Sequence, residues 1–189
     1  MLLARAVHVA RGEIDLWLRD IVLNSVLASR WIPRMVRPAL LRLVGHKGVH
    51  PRALISGGCF IGAWSGLTAE RGVLINHGCF FDLGAPVVLR KNVALAYEVM
   101  VITYTHDIGP ATLRSGEHRT APVTIGEGSW VGSRSVIMPG VSIGSGCVIG
   151  AGSVVTSDCV DNGVYAGAPA RLRRILEADG RPRSTVPVD

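Results

Sequence analysis

This sequence has few aromatics, few cysteines and no clustered charge. Aromatic residues fill 5% of the 189 positions, and the basic excess, 20 against 14 acidic residues for a net +6, is diffuse and mostly arginine. A nucleic-acid-binding surface needs a basic stripe with aromatics or a known motif, and neither is present. An anionic small ligand accounts for the surplus equally well. The four cysteines (Cys59, Cys79, Cys147, Cys159) show no CxxC and no disulfide framework, so they read as compact apolar fillers. Arg5 and Arg11 are followed by no uninterrupted apolar run before a cleavage site, so no secretory leader is expected and the chain reads as cytoplasmic. Charge is wholly missing from Ser135 to Ser157, yet a membrane helix would not carry glycine in strict sixfold register.

That register is the strongest feature present. Ile125, Val131, Ile137, Ile143, Ile149 and Val155 recur every sixth residue, and Gly126, Gly132, Gly144 and Gly150 directly follow four of them. Four residues after each aliphatic comes a small side chain: Ser129, Ser135, Val141, Cys147, Ser153, Cys159. A period of six fits neither an α-helix nor an open alternating strand. It fits a short flat strand plus a turn, repeated, with the aliphatic and small residues pointing inward: the signature of a parallel β-helix. The same register runs through Ile55, Ile61 and Leu67, skips two residues to Ile75, passes Phe81, skips two more, and continues through Leu89, Leu95 and Val101. The small inward residues there are Cys59, Ser65, Cys79, Val93, Val99 and Thr105.

The length is enough for one domain with a real core. Residues 1–52 are expected to form a helical cap, 53–160 the β-helix, and 161–189 a terminal segment. Within the cap, residues 13–29 read as an amphipathic helix with Ile14, Trp17, Leu18, Ile21, Val22 and Ser25 on one face. Pro33 interrupts it, and Pro38 opens a second helix through Leu43. A β-helix leaves unpaired strand edges at its end, which such a cap would cover; the alternative is an arginine-bearing helix resting on a membrane surface. Residues 107–122 (DIGPATLRSGEHRTAP) break the register as a polar excursion, and an excursion of this length is more often functional than idle. Pro169 opens an expected short C-terminal helix, ARLRRILEA, and residues 179–189 read as a disordered tail.

TYTHD at 103–107, PVTIGEGSWVG at 122–132, IMPGVSIG at 137–144, IGAGSVVTSD at 149–158 and AGAPARLRR at 166–174 resemble the hexapeptide-repeat O-acetyltransferases, near the maltose/galactoside, nodulation-factor and colanic-acid enzymes. The resemblance covers about residues 55–176; the N-terminal 52 residues depart from the cap of the maltose and galactoside enzymes. It implies an all-β solenoid, a left-handed parallel β-helix with three hexads per turn, assembled as a homotrimer. It also implies acetyl-CoA as co-substrate, no metal, and a hydroxyl acceptor on a sugar, a glycan precursor or a glycosylated natural product. An antibiotic hydroxyl is the alternative acceptor, and a non-enzymatic β-helix scaffold the alternative class. A zinc hydrolyase on this coil would need three histidines around the metal, and no H-x4-H pair follows the first candidate histidine.

By the same resemblance His106, where the repeat breaks into the excursion, is the general base that takes the acceptor's proton. Glu117 matches an acidic loop residue that would orient His106. The backbone N–H of Ser133 would face the thioester oxygen as it gains charge. Trp130 either packs beside the acyl arm or shields a coil corner. Gly132, Gly150, Ala151 and Gly152 would border a groove for the pantetheine arm, and Arg171 and Arg174 would meet phosphates. Asn76 and Asp82 fall where such enzymes hold acceptor hydroxyls, though both are ordinary turn formers.

Overall fold

The computed structural model describes residues 2–177 and 179–182. Three parallel sheets wind along the chain as faces of one coil. Face I holds Leu54–Ile55, Leu74–Ile75, Ala94–Leu95, Trp130–Val131, Val148–Ile149 and Gly163–Gly167. Face II holds Phe60–Ile61, Phe80–Phe81, Met100–Val101, Val136–Ile137 and Val154–Val155. Face III holds Leu67–Ala69, Val87–Leu89, Val123–Ile125 and Ser142–Ile143. The expected all-β solenoid with a helical cap is what forms.

The aliphatic column is buried throughout, from Ile55 and Ile61 to Ile149 and Val155, and so are all four cysteines and Ser129, Ser135 and Ser153. Each buried Ile or Leu contributes about 1.5–3 kcal/mol relative to exposure. The small residues sit inward because the coil is narrow, and buried hydroxyls need acceptors: Ser129 Oγ donates to the Gly144 carbonyl at 2.7 Å and Ser135 Oγ to that of Gly150 at 2.9 Å.

Two inward assignments move. Ser65 and Thr105 are exposed, while Leu67 with Ala69, and Thr103, point in. Leu67 pairs with Val87 and Ala69 with Leu89, so the first two-residue skip lies before its face III strand, at the turn 62–66, and not after Leu67, while the second falls after Phe81 as expected, at the turn 82–86. Both loose turns stack on the corner between faces II and III. The excursion leaves from that same corner, which explains why Thr105 is already outside the coil.

The excursion is not a structureless loop. Tyr104–Ile108 and Ser115–Thr120 pair as an antiparallel hairpin. Its root is held by Asp82, whose carboxylate accepts from the Thr103 N–H at 2.9 Å, the Tyr104 N–H at 3.1 Å and the Thr103 hydroxyl.

The helical cap also differs in detail. Helix α1 spans Leu2–Arg19, starting well before residue 13, and continues as a π-helical turn over Asp20–Val26; helix α2 spans Arg37–Leu43. The expected buried face of α1 is out: Ile14, Trp17 and Leu18 are exposed, Trp17 at 63%. Burial begins later, at Leu23, Leu27 and Leu41. The reason is that polar groups close the coil end. Asn24 receives the Ile61 N–H at 2.8 Å and donates to the Ile61 carbonyl at 3.3 Å, closing the face II edge. Arg37, with the Arg34 carbonyl, closes face I at Ile55. The His50 N–H donates to the Ala69 carbonyl at 2.7 Å, closing face III. Each edge strand thus gains partners for its orphan backbone groups. No helix among the described residues is long and apolar enough to cross a membrane.

The expected C-terminal helix is a strand. Ala170–Ile175 turns back through Ala168–Pro169 and pairs antiparallel with Gly163–Gly167. The last face I strand would otherwise end the sheet with an open edge, and pairing it outweighs the high helix propensity of ARLRRI. Of the expected tail, residues 179–182 fold back, with Pro182 bridging Leu176; residues 183–189 lie outside the described residues.

Candidate active site

The predicted site residues fall on two corners of the coil. Asn76, Gly132, Ser133, Gly150, Ala151 and Gly152 stack on the corner between faces I and II, with Trp130 beside it on face I. Asp82, His106 and Glu117 belong to the corner between faces II and III and its hairpin.

His106 lies opposite His118 in the hairpin register, and the two rings pack with centroids 4.3 Å apart. His118 in turn meets the edge of Tyr104 at 5.8 Å. His106 Nδ1 is 3.1 Å from the Gly116 carbonyl oxygen. A carbonyl only accepts, so this contact puts the proton on Nδ1 and leaves the Nε2 lone pair free. In this structure the acceptor for Nδ1 is the Gly116 carbonyl, at the bulge where the hairpin register shifts and next to Glu117. Asp107 and Arg119 brace the hairpin with an exposed ion pair at 2.6 Å.

On the other corner, the bare glycines have a structural reason first. A Cβ on Gly132 would come within 2.5 Å of the Ala151 nitrogen, and one on Gly150 within 3.1 Å of the Ala166 Cβ, so glycine lets successive coils stack. Gly132 donates to the Ile149 carbonyl at 2.8 Å and Arg134 to that of Tyr97 at 2.9 Å, whereas the backbone bonds of the described residues include none donated by Ser133. Trp130 is 54% exposed, standing in register with Ala94 and Val148.

Arg171 and Arg174 are exposed on the terminal strand, opposite Ala166 and Val164. Arg173, which the sequence reading passed over, reaches the corner itself: its guanidinium donates to the Ala166 carbonyl at 3.2 Å. The strand's register shift is the cause, and no helical reading could have found it.

Asn76 opens onto a cavity of about 300 Å³ lined by Arg30, Arg34, Arg37, His77 and Tyr97. The cap side of this cavity carried no sequence signal, because residues 30–37 meet residues 56–97 only in space. Asp82, by contrast, has its carboxylate committed to Thr103 and Tyr104. Among the described residues no three His, Cys, Asp or Glu side chains converge as a metal site would. Burial raises Cys147 and pushes Cys159 up to about 12, so both thiols stay protonated.

The sixfold parallel coil, with a histidine-bearing hairpin at one corner and bare glycines at another, is similar to that of the hexapeptide-repeat transferases. The family model "Bacterial transferase hexapeptide (six repeats)" matches residues 122–157. Galactoside O-acetyltransferase of Escherichia coli K12 is 43% identical over 94 residues, which is 49% of this chain and 46% of that protein. A maltose O-acetyltransferase from Clostridium difficile 630 superposes with a TM-score of 0.70 at 27% identity, covering 85% of this chain and 88% of that one. A hexapeptide-repeat acetyltransferase from Vibrio cholerae, solved with acetyl coenzyme A, gives 0.64 at 26% identity, covering 80% and 82%. The chain spans about half the length of the curated relatives it matches. Along the coil it is similar to the hexapeptide-repeat acetyltransferases.

Proposed function

We propose that this protein transfers an acetyl group from acetyl-CoA to a hydroxyl of a sugar or glycan precursor, by direct attack with His106 as general base. The observation that carries the reading is the Nδ1 contact of His106 with the Gly116 carbonyl, which leaves Nε2 as an acceptor on an exposed hairpin. The acceptor is a weakly acidic alcohol, so attack without proton removal is slow. His106 Nε2 takes the hydroxyl proton as the oxygen bonds to the acyl carbon, and the Ser133 N–H meets the oxygen that becomes negative. When the carbon–sulfur bond breaks, the imidazolium returns the proton to the departing thiolate. The buried, protonated thiols of Cys147 and Cys159 favour this single transfer over an acyl-cysteine route.

Coenzyme A fits the corner between faces I and II, where Gly132, Gly150 and Ala151 leave a bare groove and Arg171, Arg173 and Arg174 supply positive charge. Base and oxyanion donor stand on different corners of one coil, which supports a homotrimer whose sites form between neighbouring copies. We assign the protein to the cytoplasm, where acetyl-CoA is available.

The test is His106→Ala. A positioned imidazole is worth about 10²–10⁴ in rate, so kcat should fall by about that factor while acetyl-CoA still binds. A variant with near-normal kcat would sink the assignment, and a stable acetyl adduct on a cysteine would sink direct transfer.

A further inference from the structure

We propose that the cavity beside Asn76 binds an anionic group, a phosphate or carboxylate, carried by the acceptor. Charge is the first argument. Arg30, Arg34 and Arg37 line the cavity together with His77, and among the described residues none of the three arginines has a carboxylate partner. Five other arginines, Arg19, Arg90, Arg119, Arg134 and Arg181, each pair with an acid. One acidic residue, Glu98, lines the adjoining cavity, where Arg134 holds it at 2.7 Å.

Arg37 makes the field permanent. It is 2% exposed, and its guanidinium donates to the carbonyls of Leu27 at 2.6 Å, Ser29 at 2.8 Å, Ile32 at 2.9 Å, and Ile55. Carbonyl dipoles fix its position but leave its net charge uncompensated, so the cavity wall stays positive. Arg30 and Arg34 are exposed at the mouth and free to close on an oxyanion with paired N–H groups, the geometry guanidinium offers phosphate and carboxylate.

Shape is the second argument. The cavity of about 300 Å³ adjoins one of about 240 Å³, and the two share Arg30, Gly57, His77 and Tyr97. The His77 and Tyr97 rings lie parallel, 6.3 Å apart, on successive coils, and offer a flat wall for a sugar ring. Asn76 gives its amide N–H to the Leu95 carbonyl at 3.0 Å, which turns the remaining amide groups toward a hydroxyl. The combination suits a sugar bearing an acidic group and repels a polycationic aminoglycoside.

The inference rests on the acetyltransferase reading only in making the anion part of the acceptor. Calorimetric titration of the full chain with glucose, glucose 1-phosphate, glucuronate and inorganic phosphate tests it. At least one of the two acidic sugars should bind tenfold or more tighter than glucose and than inorganic phosphate, and which one identifies the group. Arg30→Gln with Arg34→Gln should weaken that binding about tenfold or more, since each charge-assisted bond is worth roughly that factor, and should leave acetyl-CoA affinity unchanged. Both side chains are exposed, so a normal melting curve will confirm the fold. Overturning results are equal affinity for glucose, equal affinity for inorganic phosphate alone, no binding by either acidic sugar, or an unaffected double variant. Acidic-sugar binding without acetyl transfer leaves this site standing and removes the acetyltransferase reading. Acetylation of neutral sugars with no anion preference does the opposite.

Discussion

His46 shows how a single side chain is tuned by the fold. It is 1% exposed in the cap, with Nε2 3.0 Å from the Ala63 carbonyl and Nδ1 buried without a partner. Burial holds its pKa below the ordinary 6.5. The unfolded chain therefore binds more protons than the native one just below 6.5, and stability rises with pH through that window. Acidifying from about pH 7.5 toward pH 5 should lower Tm, and His46→Gln should flatten the slope. A slope unchanged in the variant would remove His46 from the account. His106 is the contrasting case. Its place at the end of the repeat is legible in the sequence, because the register stops beside it. Its tautomer is not, since that depends on the Gly116 carbonyl across a hairpin the sequence reading took for a loop.

Among the elements, the hairpin matters most, and Asp82 fastens it to the coil. The carboxylate receives two backbone N–H groups and the Thr103 hydroxyl, so it is occupied before any acceptor arrives. Asp82→Ala should let the hairpin shift and misplace His106, and a displacement of about 1 Å can cost roughly 10² in rate. The expected signature is a lower kcat with the KM for acetyl-CoA nearly unchanged, partly restored by Asp82→Asn. If the acceptor KM rises while kcat holds, Asp82 binds acceptor and this positioning role is wrong. The terminal strand teaches a related lesson. ARLRRI has no strong strand signal, and it becomes a strand because the last face I strand needs a partner; that need appears only once the coil has been built.

For the whole molecule, the two halves of the proposed site stand on different corners. Trp17 and Trp130 also remain largely exposed on a single chain. The proposed trimer would give both a neighbour to pack against. Light scattering should give about three times the 20.1 kDa chain mass at micromolar concentration, and dissociation should abolish activity. A monomer with full activity would overturn the shared site.

Taken alone, the sequence determined the solenoid, its inward columns and the position of the excursion. Those follow from a strict period, which forces the same residues inward on every turn. It placed Ser65, Thr105 and the buried face of α1 wrongly, because their burial depends on where a loose corner falls and on which groups close a coil end. Only the tertiary structure brought Arg30, Arg34 and Arg37 against His77 and Tyr97, or Arg173 to the Ala166 carbonyl. The physical reason is the same in each case: a repeat fixes what lies within a coil, while contacts between the cap, the corners and the terminal strand join residues that share no period.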